Sequence, residues 1–252
     1  MRLLLDIGNT RIKWAVQTAQ GLSAQQAVSH HGLSAVQLGT QVFAPCGQVS
    51  AVLVSNVAGE AVAEQVRQAA RDCWQLEPMF ITAAAQMSVQ GRLLRNAYPQ
   101  PLHLGTDRWL AMLAAYAMSA SAVLVVSVGT AMTLDAVNMQ GQHLGGLIVP
   151  GPELMTSSLL SHTSDIAARA AQTAVLDLSA ASYFADNTRG CVQLGSLRAT
   201  CGLIDAAYQH LHQLGEVQLL LTGGGATVLQ SQLTADVQVI PDLVLRGLSH
   251  YG

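Results

Sequence analysis

The stretch LLLDIGNTRIKWAV, residues 3–16, lines up without a gap on LVVSVGTAMTLDAV, residues 124–137, at an offset of 121. Gly8 falls on Gly129, Asn9 on Thr130 and Ala15-Val16 on Ala136-Val137, while Asp6 meets Ser127. Each copy reads as an apolar strand, a tight turn and a second strand; in the first copy Ile12, Trp14 and Val16 share one face. Taken singly, Asp6, Gly8, Asn9 and Thr10 fit an ordinary β-hairpin. Two matching units half a chain apart instead predict two half-domains of one topology facing each other, with a site in the cleft between them.

The rest of the chain suits that plan. Its 252 residues allow two α/β lobes of ordinary size, and 50% apolar against 11% charged residues predicts closely packed segments with room for a sizeable subunit interface. Net charge is −3 and the basic residues are scattered without aromatic interleaving, which argues against nucleic acid and for small-molecule partners. One Arg and three Leu before Asp6 are too short an apolar run for a signal peptide, and SAVLVVSVGTAMTLDAV is interrupted by Ser127, Gly129, Thr130, Thr133 and Asp135, so the expectation is a cytoplasmic protein without membrane partners. Cys46, Cys73, Cys191 and Cys201 show no CxxC spacing and read as buried thiols. The eight histidines form no HExxH.

Along the chain, residues 21–50 predict a third strand and a short helix, AVLVSNV a buried strand, and AVAEQVRQAARDCW the helix after it. Residues 82–104 have little periodicity and read as a long functional loop with short structure. DRWLAMLAAYAMS is apolar around most of its circumference, which predicts a buried helix. A lobe boundary near residues 110–122 divides 1–115 from 116–252. In the second lobe, strands at 122–127 and 132–138, GQHLGGLIVPG and a helix near 152–160 come first. A long helix within 187–215 follows, with small residues along one side for close packing. EVQLLLTGGGATVLQSQL then reads as strand, glycine loop and helix, and the chain closes with a strand and a helix in PDLVLRGLSHYG.

These segments are of a kind that could carry phosphate chemistry. A glycine turn lets backbone N–H groups approach a phosphate, and a neighbouring hydroxyl or amide adds donors; Gly8-Asn9-Thr10 and Gly129-Thr130 both qualify. Asp6, at a strand end before such a turn, suits Mg²⁺ held directly or through water. Lys13 is the only lysine. It reads either as a solvent-facing hairpin residue or as charge for terminal phosphates. TGGGA, residues 222–226, lacks the glycine at 228 that a dinucleotide fingerprint needs, and suits an adenosine surface better.

In this order, the three loops resemble those of the acetate kinase, sugar kinase, Hsp70 and actin superfamily. NAYPQPLHLGTDRW (96–109), GGLIVPG (145–151), NT (187–188), TGGGA and PDLVLRGL together resemble the blocks of type III pantothenate kinases over nearly the whole chain. The resemblance implies duplicated actin-like, ribonuclease H-like α/β lobes with a nucleotide cleft between them. It implies ATP-dependent conversion of pantothenate to 4′-phosphopantothenate, the first step of coenzyme A synthesis. ATP contacts would come from Asp6, Ile7, Gly8, Asn9, Thr10, Arg11, Ile12, Lys13 and Thr130. Pantothenate contacts would come from Tyr98, Gly105, Thr106, Asp107 and Arg108, with Thr188 completing the pocket across a homodimer interface, and Asp107 would be the base. Arg108 suits a bidentate pair with the substrate carboxylate. A divalent cation such as Mg²⁺ would accompany ATP, and the family's K⁺ or NH₄⁺ would lie near position 127, where the usual Asp is replaced by Ser127. A neutral hydroxyl puts the cation requirement or the ATP affinity in question. Two rivals remain at this stage: another small-molecule kinase of the superfamily, and a regulatory or scaffolding relative that has lost catalysis.

Overall fold

The structure, a computed structural model, describes residues 1–162, 166, 168 and 182–251. Two compact units divide the chain. The first contains Met1–Met118, Gln140–His143 and Asp242–Gly252, and the second Ser119–Met139 and Leu144–Pro241.

In the first unit β1 (Arg2–Ile7), β2 (Arg11–Thr18), β3 (Gly21–Leu22), β4 (Gln26–Ser29), β5 (Ala51–Asn56) and β6 (Met79–Phe80) form a mixed sheet of order β3-β2-β1-β5-β6, with β4 also beside β2. Successive residues of a strand point to opposite faces. On one face Leu3, Leu5, Ile7, Trp14, Val52 and Val54 pack with Leu38 of α1 (Ala35–Leu38) and Val66, Ala69 and Ala70 of α2 (Glu60–Trp74). Burying each such large side chain contributes about 1.5–3 kcal/mol. The other face carries Leu4, Asp6, Lys13, Leu53 and Ser55, and α3 (Thr106–Met118) and α7 (Leu243–Leu248) cover this side of β1 and β5. Every residue of α3 from Arg108 to Tyr116 is buried, as its apolar circumference predicts. Gly247 lets the two helices touch backbone to backbone, since a Cβ there would stand 2.2 Å from the Leu110 carbonyl oxygen.

The second unit repeats the pattern. Strands β9 (Ala122–Val128), β10 (Ala131–Val137), β11 (His143–Pro150), β12 (Val217–Thr222) and β13 (Val237–Val239) run in the order β11-β10-β9-β12-β13. β1 is antiparallel to β2 and parallel to β5; β9 is antiparallel to β10 and parallel to β12. Helices α4 (Pro152–His162), α5 (Thr188–His212) and α6 (Ala226–Gln230) complete what is described of it.

The gapless alignment of the two hairpins needs one correction. Ile7 pairs with Ile12 across four intervening residues, but Val128 pairs with Met132 across three. After the turn the true offset is therefore 120, and Lys13 corresponds to Thr133. Burial confirms it: both second strands run exposed, buried, half-buried, buried, buried from Arg11 and from Ala131.

The short structure expected within the loop at 82–104 is a hairpin, β7 (Gln86–Val89) with β8 (Arg92–Arg95), whose short strands hide any period. Two other expectations change. All four thiols are free, but only Cys201 is buried; Cys46 is half-buried and Cys73 and Cys191 are exposed, because a small apolar side chain on an amphipathic element need not face inward. On α5 the small residues do not all mark close packing, since a Cβ on Gly195 or Gly202 would meet nothing within 4 Å. Among the described residues no helix is long and apolar enough to cross a membrane.

Candidate active site

Strand register builds the centre of the site. Asp6 is paired with Lys13 on one side and Ser55 on the other. Directly paired residues project to the same face, so Lys13, Asp6 and Ser55 form one row across three strands at the end of the sheet. Asp6 is 7% exposed and Ser55 fully buried. Burial pushes the Asp6 carboxyl up from 3.8 to about 6; the Lys13 ammonium opposes this, the nearby Asp107 carboxylate adds to it, and the Ser55 hydroxyl opposes it weakly. Ser55 Oγ nevertheless has no partner at full hydrogen-bond geometry, so its contact with Asp6 is a loose one.

Beyond Asp6 the chain turns through Gly8, Asn9 and Thr10, the latter two exposed, and the Gly8 N–H donates to the Arg11 carbonyl at 3.0 Å. The protein itself does not demand glycine here. Gly8 has no positive φ, and a Cβ would lie 3.7 Å from the Arg11 oxygen, an ordinary contact. Gly129 repeats this, with a Cβ 3.6 Å from the Ala131 oxygen. In both loops what a side chain would obstruct is approach from outside. His30 Nε2 donates to the Gly8 carbonyl at 2.8 Å and ties the first loop to β4, a contact with no sequence signal beyond a lone histidine.

Asp107 stands in the first turn of α3, where its Oδ1 accepts the Arg108 N–H at 2.9 Å. A Cβ at position 105 would come within 2.7 Å of that oxygen, so Gly105 clears the carboxylate's place. Thr106 Oγ1 donates to the Ile81 carbonyl at 3.4 Å and anchors the turn. Arg108 is buried, with Nη1 donating to the Tyr98 hydroxyl at 3.1 Å and its guanidinium 5.8 Å from that ring's centroid. Tyr98 stacks at 6.2 Å on His143, whose Nδ1 accepts the Ala97 N–H at 3.3 Å. Asn96 fixes this segment by accepting the Tyr98 N–H at 2.9 Å and donating to the Ala84 carbonyl at 3.2 Å. His143 and Ser55 are the residues that sequence reasoning missed. His143 lies some 45 residues from the Tyr98 block, and Ser55 looks like one more small residue in a buried strand.

The first unit thus gathers Asp6, Lys13, Asp107, Tyr98 and Arg108. The second unit holds Ser127, Thr130 and Thr188. Ser127 is the last residue but one of β9, paired with Thr133 and Thr222 in the positions that Lys13 and Ser55 occupy around Asp6. Thr130 is exposed and its carbonyl accepts the Gly151 N–H at 2.8 Å. Gly223, at φ +92°, brings the TGGGA loop against β9, where a Cβ would stand 2.3 Å from the Val128 oxygen. Thr188 opens α5 behind its cap Asn187, whose side chain accepts the Gly190 N–H at 2.9 Å. Elsewhere, a cavity of about 420 Å³ beside Trp14 and Cys46 opens on the face of the first sheet away from the Asp6 row.

No group of three His, Cys, Asp or Glu poised for a metal occurs among the described residues. A buried carboxylate with a second one close by is the donor set that suits Mg²⁺, which takes one or two carboxylates, waters and substrate phosphates. It does not suit a closed zinc cage.

The two sheets with their matching hairpins form a duplicated α/β fold of the actin-like ATPase and sugar-kinase type. A Campylobacter jejuni protein assigned to the Baf family of transcriptional activators superposes with a TM-score of 0.60 at 20% identity, covering 98% of this chain and 95% of that one. A Sinorhizobium meliloti protein assigned as a 2-dehydro-3-deoxygalactonokinase gives 0.59 at 16%, covering 99% and 97%. At such identities the likeness speaks for the fold alone. Sequence settles the family: the pattern of type III pantothenate kinases matches residues 2–210, and the type III pantothenate kinase of Nitrosococcus oceani is 35% identical over 256 residues, covering 99% of this chain and 92% of the relative. The chain belongs to the type III pantothenate kinase family, whose reaction is ATP-dependent phosphorylation of pantothenate in coenzyme A synthesis.

Proposed function

We propose that the two carboxylates of the first unit divide the chemistry, Asp107 as the base toward the pantothenate hydroxyl and Asp6 as the anchor for a divalent cation that accompanies ATP. The observation that carries this reading is their proximity, close enough for Asp107 on α3 to raise Asp6, which shares its sheet face with Lys13. In the reaction the substrate hydroxyl oxygen attacks the terminal phosphorus of ATP, its proton passes to Asp107, and ADP leaves. Backbone N–H groups of the turn beyond Gly8 and the Lys13 ammonium take charge developing on the phosphates. A divalent cation held by Asp6 would supply neutralisation of phosphate charge. Arg108, oriented by Tyr98, pairs with the pantothenate carboxylate, while Gly105 and Thr106 shape the turn that holds Asp107.

Asp107→Asn is the test, because the amide keeps shape but cannot take the proton. Turnover in a coupled ADP-release assay with pantothenate falls about 10²–10⁴-fold. Turnover within threefold of the parent removes Asp107 as the base.

The protein acts in the cytoplasm as a homodimer in which Thr188 completes the partner's pocket. What supports the dimer is exposed apolar surface in the second unit: Leu144, Leu147 and Ile148 on edge strand β11 and Leu154 and Leu159 on α4 are all at least 40% exposed. Ser127 holds K⁺ or NH₄⁺ weakly, since its paired neighbours Thr133 and Thr222 are equally uncharged.

A further inference from the structure

We propose that Ser55 is a positioning residue of the phosphoryl-transfer centre, its hydroxyl holding the Asp6 carboxylate in the orientation that receives the divalent cation. Ser55 is completely buried, and its Oγ is left without a partner at full hydrogen-bond geometry. A buried hydroxyl in that state weakens a fold, and alanine would fill the place with less cost, so the packing of β5 does not explain the oxygen. Its position does. Ser55 stands directly beside Asp6 in the parallel register, on the same face, at a strand spacing of about 4.8 Å. From that place its hydroxyl makes the loose contact with the Asp6 carboxyl described above.

The duplicated unit supplies the comparison. Thr222 occupies the corresponding place beside Ser127, where there is no acid, and its hydroxyl turns to a backbone carbonyl, that of Pro241 at 3.4 Å. Where the row contains Asp6, the hydroxyl makes no such backbone bond. A donor that fixes the orientation of a ligating carboxylate controls metal affinity without touching the metal, and losing one costs about 10–100-fold.

This inference rests on the assignment of Asp6 to the divalent cation, so the experiment must separate the two. Mn²⁺ is titrated into the full chain with a non-hydrolysable ATP analogue, followed by electron paramagnetic resonance, for the parent, Ser55→Ala and Asp6→Asn. Steady-state kinetics with pantothenate and urea unfolding are measured on the same preparations. Ser55→Ala is expected to weaken Mn²⁺ about tenfold, to leave the KM for pantothenate within twofold, and to leave the unfolding midpoint unchanged or higher. If Asp6→Asn loses Mn²⁺ while Ser55→Ala binds it within twofold of the parent, Ser55 has no positioning role. Weakened Mn²⁺ binding accompanied by a lower unfolding midpoint and a raised pantothenate KM marks a structural residue and also overturns the proposal. Parent-like Mn²⁺ binding by Asp6→Asn removes the Asp6 assignment itself, and Ser55 with it.

Discussion

Replacing Asp6 by Asn should stabilise the unliganded protein, and by an amount that depends on pH. The folded chain keeps the Asp6 proton up to about pH 6, chiefly because the carboxyl is buried, whereas the unfolded chain releases it near 3.8. Between these values the unfolded state binds fewer protons, so stability falls as pH rises; the penalty is absent below 3.8 and complete once pH has passed through the folded value. The gap corresponds to about 3 kcal/mol at pH 8 and about 1 kcal/mol at pH 4.5. Asparagine is neutral throughout, so the advantage of Asp6→Asn over the parent should grow by about 2 kcal/mol between those two conditions. Urea unfolding of both proteins without nucleotide or divalent cation measures it, each pair compared at one pH so that other titrating groups cancel. An advantage that stays constant within about 0.5 kcal/mol from pH 4.5 to 8 would refute the reasoning. Activity should move the opposite way, because a site residue carrying charge in a buried place holds a strain that function uses.

The expected insensitivity to monovalent cations is read by titrating K⁺ against Na⁺ or Tris at constant ionic strength, which keeps general screening fixed; activity should change less than about twofold, and saturable activation above tenfold would show that other oxygens hold the ion. Light scattering at micromolar concentration on an active preparation should give twice the chain mass, since an obligate interface of about 2,000 Å² or more does not dissociate there; a monomeric mass in an active sample excludes Thr188 from a partner's pocket.

Much of this was legible in the sequence because duplication is visible as repeated letters. The strand–turn–strand units, which appear in both sheets, the buried α3 and the glycine loop after β12 follow from period and turn chemistry. The one-residue difference between the two turns was not legible: Ile12 and Thr133 align plausibly as letters, and only hydrogen-bond register shows that Met132 takes the buried place. Pairing partners far apart in sequence were equally hidden. Nothing in AVLVSNV announces that Ser55 will stand beside Asp6, nor does a histidine at 143 announce a stack on Tyr98, because strand order is decided by packing over distances that local pattern does not span. The C-terminal segment Asp242–Gly252 clusters with the first unit through contacts such as Gly247 on Leu110, which sequence order gives no reason to expect.

The two matching rows make this chain its own substitution experiment. One backbone arrangement carries Lys13, Asp6 and Ser55 in the first unit and Thr133, Ser127 and Thr222 in the second, with the same strand order and the same sequence of buried and open positions along the second strand. A scaffold that accepts hydroxyls at all three places in one copy has no structural need of an ammonium and a carboxylate in the other. The charges of the first row are therefore separable from folding, and variants that neutralise them can be expected to yield well-folded protein in which any loss belongs to chemistry.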